Sequence, residues 1–205
     1  MSEAEVVLDN TTNSSIIRPS ANIKSGGSRM IPALLGLAVV IAAFGAVVAT
    51  RPGSFVVTRS ATIFAPPDRV FPHVNSLRSW TAWSPWEKLD PALKREFEGP
   101  ESGPGAIYRW QGNKNVGVGS MTISDSQPSE LVRIKLEFLK PFAATNDVQF
   151  KFEPDGNKTR VTWSMTGNNN FMAKAMHMFM NIDKMVGGQF EKGLANLKSV
   201  AETAG

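Results

Sequence analysis

The chain has 205 residues, 42% of them hydrophobic, and carries five Trp and twelve Phe, too much apolar bulk for a disordered chain and enough for one well-buried domain with appendages. The lack of cysteine excludes disulfides, thiolate metal sites and cysteine nucleophiles, and two histidines cannot hold zinc unaided. A formal charge of +4, with its basic residues scattered, argues against a nucleic-acid partner.

Residues 1–29 are rich in Ser, Asn and Thr, include Gly26-Gly27, and read as a disordered tail. Ile31 to Thr50 then holds twenty residues without a charge, bracketed by Arg29 and Arg51. A helix of that length spans about 30 Å, the thickness of a bilayer's hydrocarbon core, which predicts a transmembrane helix over residues 30–50. A buried core helix, the soluble alternative, seldom runs this long without a polar position. Val47 and Ala49 have the small-residue spacing that a signal peptidase accepts before Thr50. The apolar run, however, exceeds the roughly 7–15 residues of a signal core, which favours a retained anchor. Arg18, Lys24 and Arg29 precede the span, and Arg51 and Arg59 follow it. Three against two leans toward a cytoplasmic N-terminus and an exported C-terminal domain on the periplasmic side.

From Gly53 onward the pattern is globular, with a domain expected over residues 52–203. Phe55 to Phe64 is β-branched and ends at Ala65-Pro66-Pro67-Asp68, a strand stop followed by a helix start. Arg69 to Asn75 predicts a short helix with Val70, Phe71 and Val74 on one face. Trp80, Trp83 and Trp86 follow at spacings of three, which demands a shared buried surface, while Pro85 forbids a regular helix through the last of them. Further strands are predicted over 94–98, 106–111, 116–124, 130–140, 147–153 and 159–167. In the later ones alternation is clean: Val132, Ile134, Leu136 and Phe138 oppose Arg133, Lys135 and Glu137, and Val161, Trp163 and Met165 oppose Arg160, Thr162 and Ser164. That is an antiparallel sheet with one wet and one apolar face.

Phe171 to Glu202 predicts one long amphipathic helix, with Gly187-Gly188 marking a kink or a close approach of another backbone. It is the element able to cover the apolar face. The expectation is therefore an α+β domain, a curved antiparallel sheet of about seven strands gripping a long C-terminal helix, preceded by one transmembrane helix. Such a grip tends to leave a cavity closed at one end by the tryptophan segment.

The runs Ala65-Pro66-Pro67-Asp68-Arg69-Val70-Phe71, Trp80-Thr81-Ala82-Trp83-Ser84-Pro85-Trp86-Glu87, Gly117-Val118-Gly119-Ser120-Met121, Val161-Thr162-Trp163-Ser164-Met165 and Asp183-Lys184-Met185-Val186-Gly187-Gly188 carry a resemblance. Over about residues 52–202 the chain resembles bacterial START-like proteins of the polyketide cyclase/dehydrase and lipid-transfer family. The resemblance implies the helix-grip fold and a ligand-binding cavity. It does not choose a function, because the superfamily includes lipid carriers, aromatic cyclases, allergens and co-chaperones.

A cyclase needs proton-transfer groups inside the cavity, and Tyr108, His73 and His177 are the candidates, each equally readable as a boundary or surface polar residue. Asp183 could face a cavity, or pair with Lys184 or solvent. No Ser-His-Asp order, phosphate loop or carboxylate metal cluster is visible, so neither cofactor nor metal is expected. Met172, Met176, Met178, Met180 and Met185 give the helix a soft face suited to irregular apolar ligands, though methionine also fills gaps in ordinary cores. The expected cavity lining is Trp83, Tyr108, Trp110, Phe138, Phe150, Trp163, Met165, Met172, Met176 and Phe179. Three functions follow. The first is a membrane-tethered, non-catalytic module binding a lipid or other hydrophobic small molecule, the second an enzyme acting on an aromatic or polyketide-like substrate. The third is a protein-interaction module docking through the sheet or the tryptophan segment, which predicts an exposed aromatic patch that includes Trp80 or Trp86.

Overall fold

The computed structural model describes residues 27–169 and 171–203; the tail expected over residues 1–29 falls almost wholly outside them. Side chains at Met172, Met176 and His177 are likewise outside the description. The chain divides into two compact units, residues 1–44 and 45–205.

In the first unit and the start of the second, helix α1 (Gly27–Ala49) carries the apolar run. Residues 31–49 have a mean hydropathy of 2.6, and nearly all their side chains are exposed. Length and composition suffice to cross a bilayer.

The second unit holds seven strands: β1 (Ser54–Ile63), β2 (Lys94–Glu98), β3 (Ile107–Gln111), β4 (Val118–Gln127), β5 (Leu131–Lys140), β6 (Ala144–Asp155) and β7 (Lys158–Asn168). They form one antiparallel sheet in the order β1-β7-β6-β5-β4-β3-β2, so β1 closes onto the last strand and the rest is a meander. Between β1 and β2 lie α2 (Pro67–Asn75), α3 (Trp80–Trp83) and 3₁₀ turns over Leu77–Ser79 and Pro85–Lys88. Pro67 sits at the first helical position of α2, where its missing N–H costs nothing. After β7 come α4 (Phe171–His177) and α5 (Ile182–Thr203). The helix-grip architecture is as expected: α5 packs against β1, α2 and α3, and the inward residues Val57, Val132, Ile134, Phe150, Val161 and Trp163 are all buried.

The single terminal helix expected over 171–202 is in fact two, and the break does not fall at the glycines. It lies at residues 178–181. Asn181 restarts the helix as its N-cap, its side-chain oxygen accepting from the Lys184 N–H at 2.9 Å. Through Gly187-Gly188 the helix is continuous. Gly187 is there for a close approach, but of a side chain: a Cβ on it would collide with the Arg59 guanidinium. Asp183, read from the sequence as facing a cavity or pairing with Lys184 or solvent, instead receives Arg59 Nη1 and Nη2 at 2.9 and 3.0 Å, while Arg59 Nε reaches Glu191 at 2.7 Å. Two carboxylates two turns apart on α5 thus grip one strand arginine, which fixes the helix along β1.

Candidate functional site

The inner face of the sheet divides into a filled half and a half-open half. In the filled half the tryptophan segment turns inward. Trp80 and Trp83 sit in α3, which ends at Ser84 because Pro85 cannot continue it. Their indole N–H groups donate back to α2, Trp80 to the Val74 carbonyl at 3.0 Å and Trp83 to the His73 carbonyl at 2.9 Å. The rings pack with Phe150 of β6 and Trp163 of β7, and Trp163 in turn packs on Phe190 of α5. Trp80 and Trp83 have centroids 4.5 Å apart, and Trp163 stacks on Phe190 at 4.0 Å and 9°. Gly193 lets α5 down onto this cluster, since a Cβ there would press on the Trp163 ring. The Asn196 amide then ties α5 to the Trp83 carbonyl at 2.9 Å. Beneath the tryptophan segment the space between sheet and helix is occupied by aromatic rings in contact.

Trp86 is half-buried, with its ring against Trp163 and Phe190. With Trp80 and Trp83 buried and Trp86 half-covered, this segment offers no exposed aromatic patch for protein docking. The Trp163 indole N–H is buried and has no protein acceptor, an exception among buried donors.

Toward β2–β5 the face is different. Phe97, Tyr108, Trp110 and Phe138 form a second aromatic run, with Phe97 stacked on Tyr108 at 5.0 Å and Trp110 edge-on to Phe138 at 5.8 Å. Trp110 and Phe138 lie on β3 and β5, and between them β4 presents Gly119, the cross-strand partner of both. A Cβ on Gly119 would meet the Trp110 ring and the Glu137 carbonyl, so the glycine is what lets the indole lie across β4. Trp110, Leu136 and Phe138 are half-buried here, and Ile182 and Val186 of α5 are half-buried against the same core.

Tyr108 is buried, and its hydroxyl donates to Glu87 Oε1 at 2.6 Å. The other Glu87 oxygen accepts from Arg95 Nε at 2.6 Å, and the Glu87 side chain is only 6% exposed. Burial first, then the neighbouring carboxylate, pushes the Tyr108 phenol well above its ordinary range. Burial lowers His73 from its ordinary value. Sequence reasoning missed Glu87 and Arg95. Glu87 follows Trp86 in the turn, but nothing local marks its partners 8 and 21 residues further on.

The expected lining residues therefore separate. Trp83, Phe150 and Trp163 belong to the filled cluster, and Met165 is buried beside Val148 and Val57 on the same inner face. Tyr108, Trp110 and Phe138 come together in the half-open part. Phe179 is exposed in the break before α5, and the side chains of Met172 and Met176 lie outside the described residues. Two open hollows, of about 430 and 420 Å³, lie at residues 178–182 and on the outward face of the sheet around Arg133, Gln149 and Ser164. Among the described residues, no group of three or more His, Asp or Glu could hold a metal ion.

With this geometry the chain can be set beside known proteins. A Streptomyces sp. R1128 aromatase/cyclase matches with a TM-score of 0.54 at 14% identity, over 73% of this chain and 94% of that one. The di-domain aromatase/cyclase BexL of the BE-7585A biosynthetic pathway matches at 0.54 and 16% identity, over 76% of this chain and 52% of that one. A Chromobacterium violaceum protein matches at 0.52 and 12% identity, over 74% and 99%. At such identities the likeness is one of fold. No curated protein matches the sequence. Residues 54–202 match the profile of a family described as polyketide cyclase/dehydrase and lipid transport, and the chain belongs to that family.

Proposed function

We propose that residues 52–203 form a non-catalytic carrier or sensor domain that holds a lipid or other hydrophobic small molecule. On this reading residues 30–50 retain it at a bilayer, with the N-terminus cytoplasmic and the domain exported. The observation that carries the proposal is the half-buried apolar surface of Trp110, Leu136 and Phe138, continuous with the packed core of the inner face. Apolar side chains left half-covered beside a packed core are the surface a greasy ligand would complete.

The chemistry of Tyr108 favours binding over catalysis. Its proton is engaged by Glu87, its acidity is suppressed, and Glu87 is in turn held by Arg95. A general acid poised near neutral pH has the opposite character. The aromatase/cyclase descriptions of two fold neighbours are the observation that favours an enzyme, and Tyr108 with Glu87 is the pair such a reading would use.

The test is titration of the soluble domain, residues 52–205, with N-phenyl-1-naphthylamine, whose fluorescence rises on entering an apolar site. Saturable binding near one probe per chain is expected, with F138E weakening it at least tenfold. Absence of saturable binding, or an unchanged affinity in F138E, overturns the proposal.

A further inference from the structure

The ends of the sheet are chemically unlike. One end collects the start of β1, the end of β7, the hairpin joining β5 to β6, and the loop joining β3 to β4. Helix α5 begins toward this end, because it runs in the same direction as β1. Asp183 near its start meets Arg59, whereas Glu202 near its finish accepts from the Phe64 N–H beyond the strand's last residue. At this end the large apolar side chains Leu139, Phe142, Phe171, Phe179, Met180 and Met185 are exposed, Phe142 at 61% and Phe179 at 79%. At the opposite end the exposed Phe64 lies under the Lys158 and Lys198 ammonium groups.

We infer that this apolar end is a membrane-contact surface whose partner is the interfacial layer of an anionic bilayer. The first argument is chain continuity. Four residues, 50–53, separate the end of α1 from the start of β1, a reach of at most about 18 Å. The link is also held: Asn169 donates to the Gly53 and Pro52 carbonyls at 2.9 and 3.2 Å, and Thr50 and Arg51 bond back to the last turn of α1. A bilayer crossed by α1 therefore lies within reach of this end of the sheet. The second argument is composition. Aromatic and thioether side chains stand beside exposed Lys114, Lys140 and Lys184, while Asp183 is occupied by Arg59 and Asp90 by two backbone N–H groups. Apolar side chains that enter the headgroup boundary by roughly 5–10 Å, ringed by lysines, match an anionic interface. The inference rests on α1 spanning a bilayer, and it adds a second contact that orients the half-open site relative to the lipid.

The cysteine-free chain makes the test direct. Full-length F142C and F179C, with N157C in the β6–β7 turn at the far end as reference, are labelled with an environment-sensitive fluorophore. Each is reconstituted into phosphatidylcholine/phosphatidylglycerol vesicles carrying a nitroxide-labelled lipid. The labels at 142 and 179 are expected to shift to the blue and lose most of their intensity to the nitroxide, and the label at 157 to do neither. Protein that resists carbonate extraction, yet shows equal quenching at all three sites, overturns the inference and leaves the anchor standing. Quenching at 142 and 179 in protein that carbonate strips from the vesicles supports the contact and overturns the anchor. Protein neither retained nor quenched overturns both.

Discussion

Replacing Trp83 by Phe separates a structural tryptophan from a ligand-binding one. The substitution keeps an aromatic ring but removes the indole N–H that donates to the His73 carbonyl at 2.9 Å. Losing that donor costs about 1–3 kcal/mol. The smaller ring also leaves a methyl-scale void at a fully buried site among Trp80, Phe150 and Trp163, worth about 1 kcal/mol. The total of about 2–4 kcal/mol is a large part of the 5–15 kcal/mol that ordinarily holds a domain together. At about 2–4 °C per kcal/mol for a domain of this size, W83F should lower Tm by roughly 4–16 °C. W86F alters a half-buried ring and should stay within about 1 kcal/mol of the parent. The assay is thermal and urea unfolding of the soluble domain, followed by probe titration of the folded variants. W83F should be less stable and bind the naphthylamine unchanged. Full stability in W83F together with lost binding would refute the assignment of this cluster to the core.

Three further substitutions test other contacts. Thr159 is fully buried and its hydroxyl donates to the Ala65 carbonyl at 2.7 Å, so T159V should cost about 1–3 kcal/mol in urea unfolding; an unchanged midpoint would show that carbonyl to be satisfied otherwise. Arg59 holds the Asp183 carboxyl below its ordinary range. Unfolded, that carboxyl titrates near about 4, so the pair's contribution is complete above that pH and is lost as pH falls through the lower folded value. D183N should flatten the acid limb of stability measured by circular dichroism, and parallel wild-type and variant limbs would contradict the Arg59 pairing. G119A should displace Trp110, destabilise by about 1–3 kcal/mol and weaken probe binding, and unchanged affinity would remove Trp110 from the site.

The strands were legible because their signal is local. Alternation in 131–140 and 158–168, with Gly and Pro between runs, is enough to place one apolar and one wet face. The tryptophan segment was legible as a buried turn for a similar reason, since Pro85 stops α3 wherever the chain goes next. What escaped the sequence depends on distant pairs. The break before α5 is an Asn181 cap in the middle of an amphipathic pattern whose apolar period runs straight through it. Gly187 looks like a helix breaker until Arg59 is seen lying on it. The Tyr108–Glu87–Arg95 cluster joins three elements with no motif linking them. How far the aromatic rings fill the inner face also depends on side-chain directions, which residue spacing does not carry.

The most direct test of the binding account is denaturing mass spectrometry of the soluble domain purified without detergent. A hydrophobic small molecule or lipid is expected at close to one per chain in the wild type and depleted in F138E. A domain that is repeatedly empty, from several hosts and with its fold intact, would contradict it.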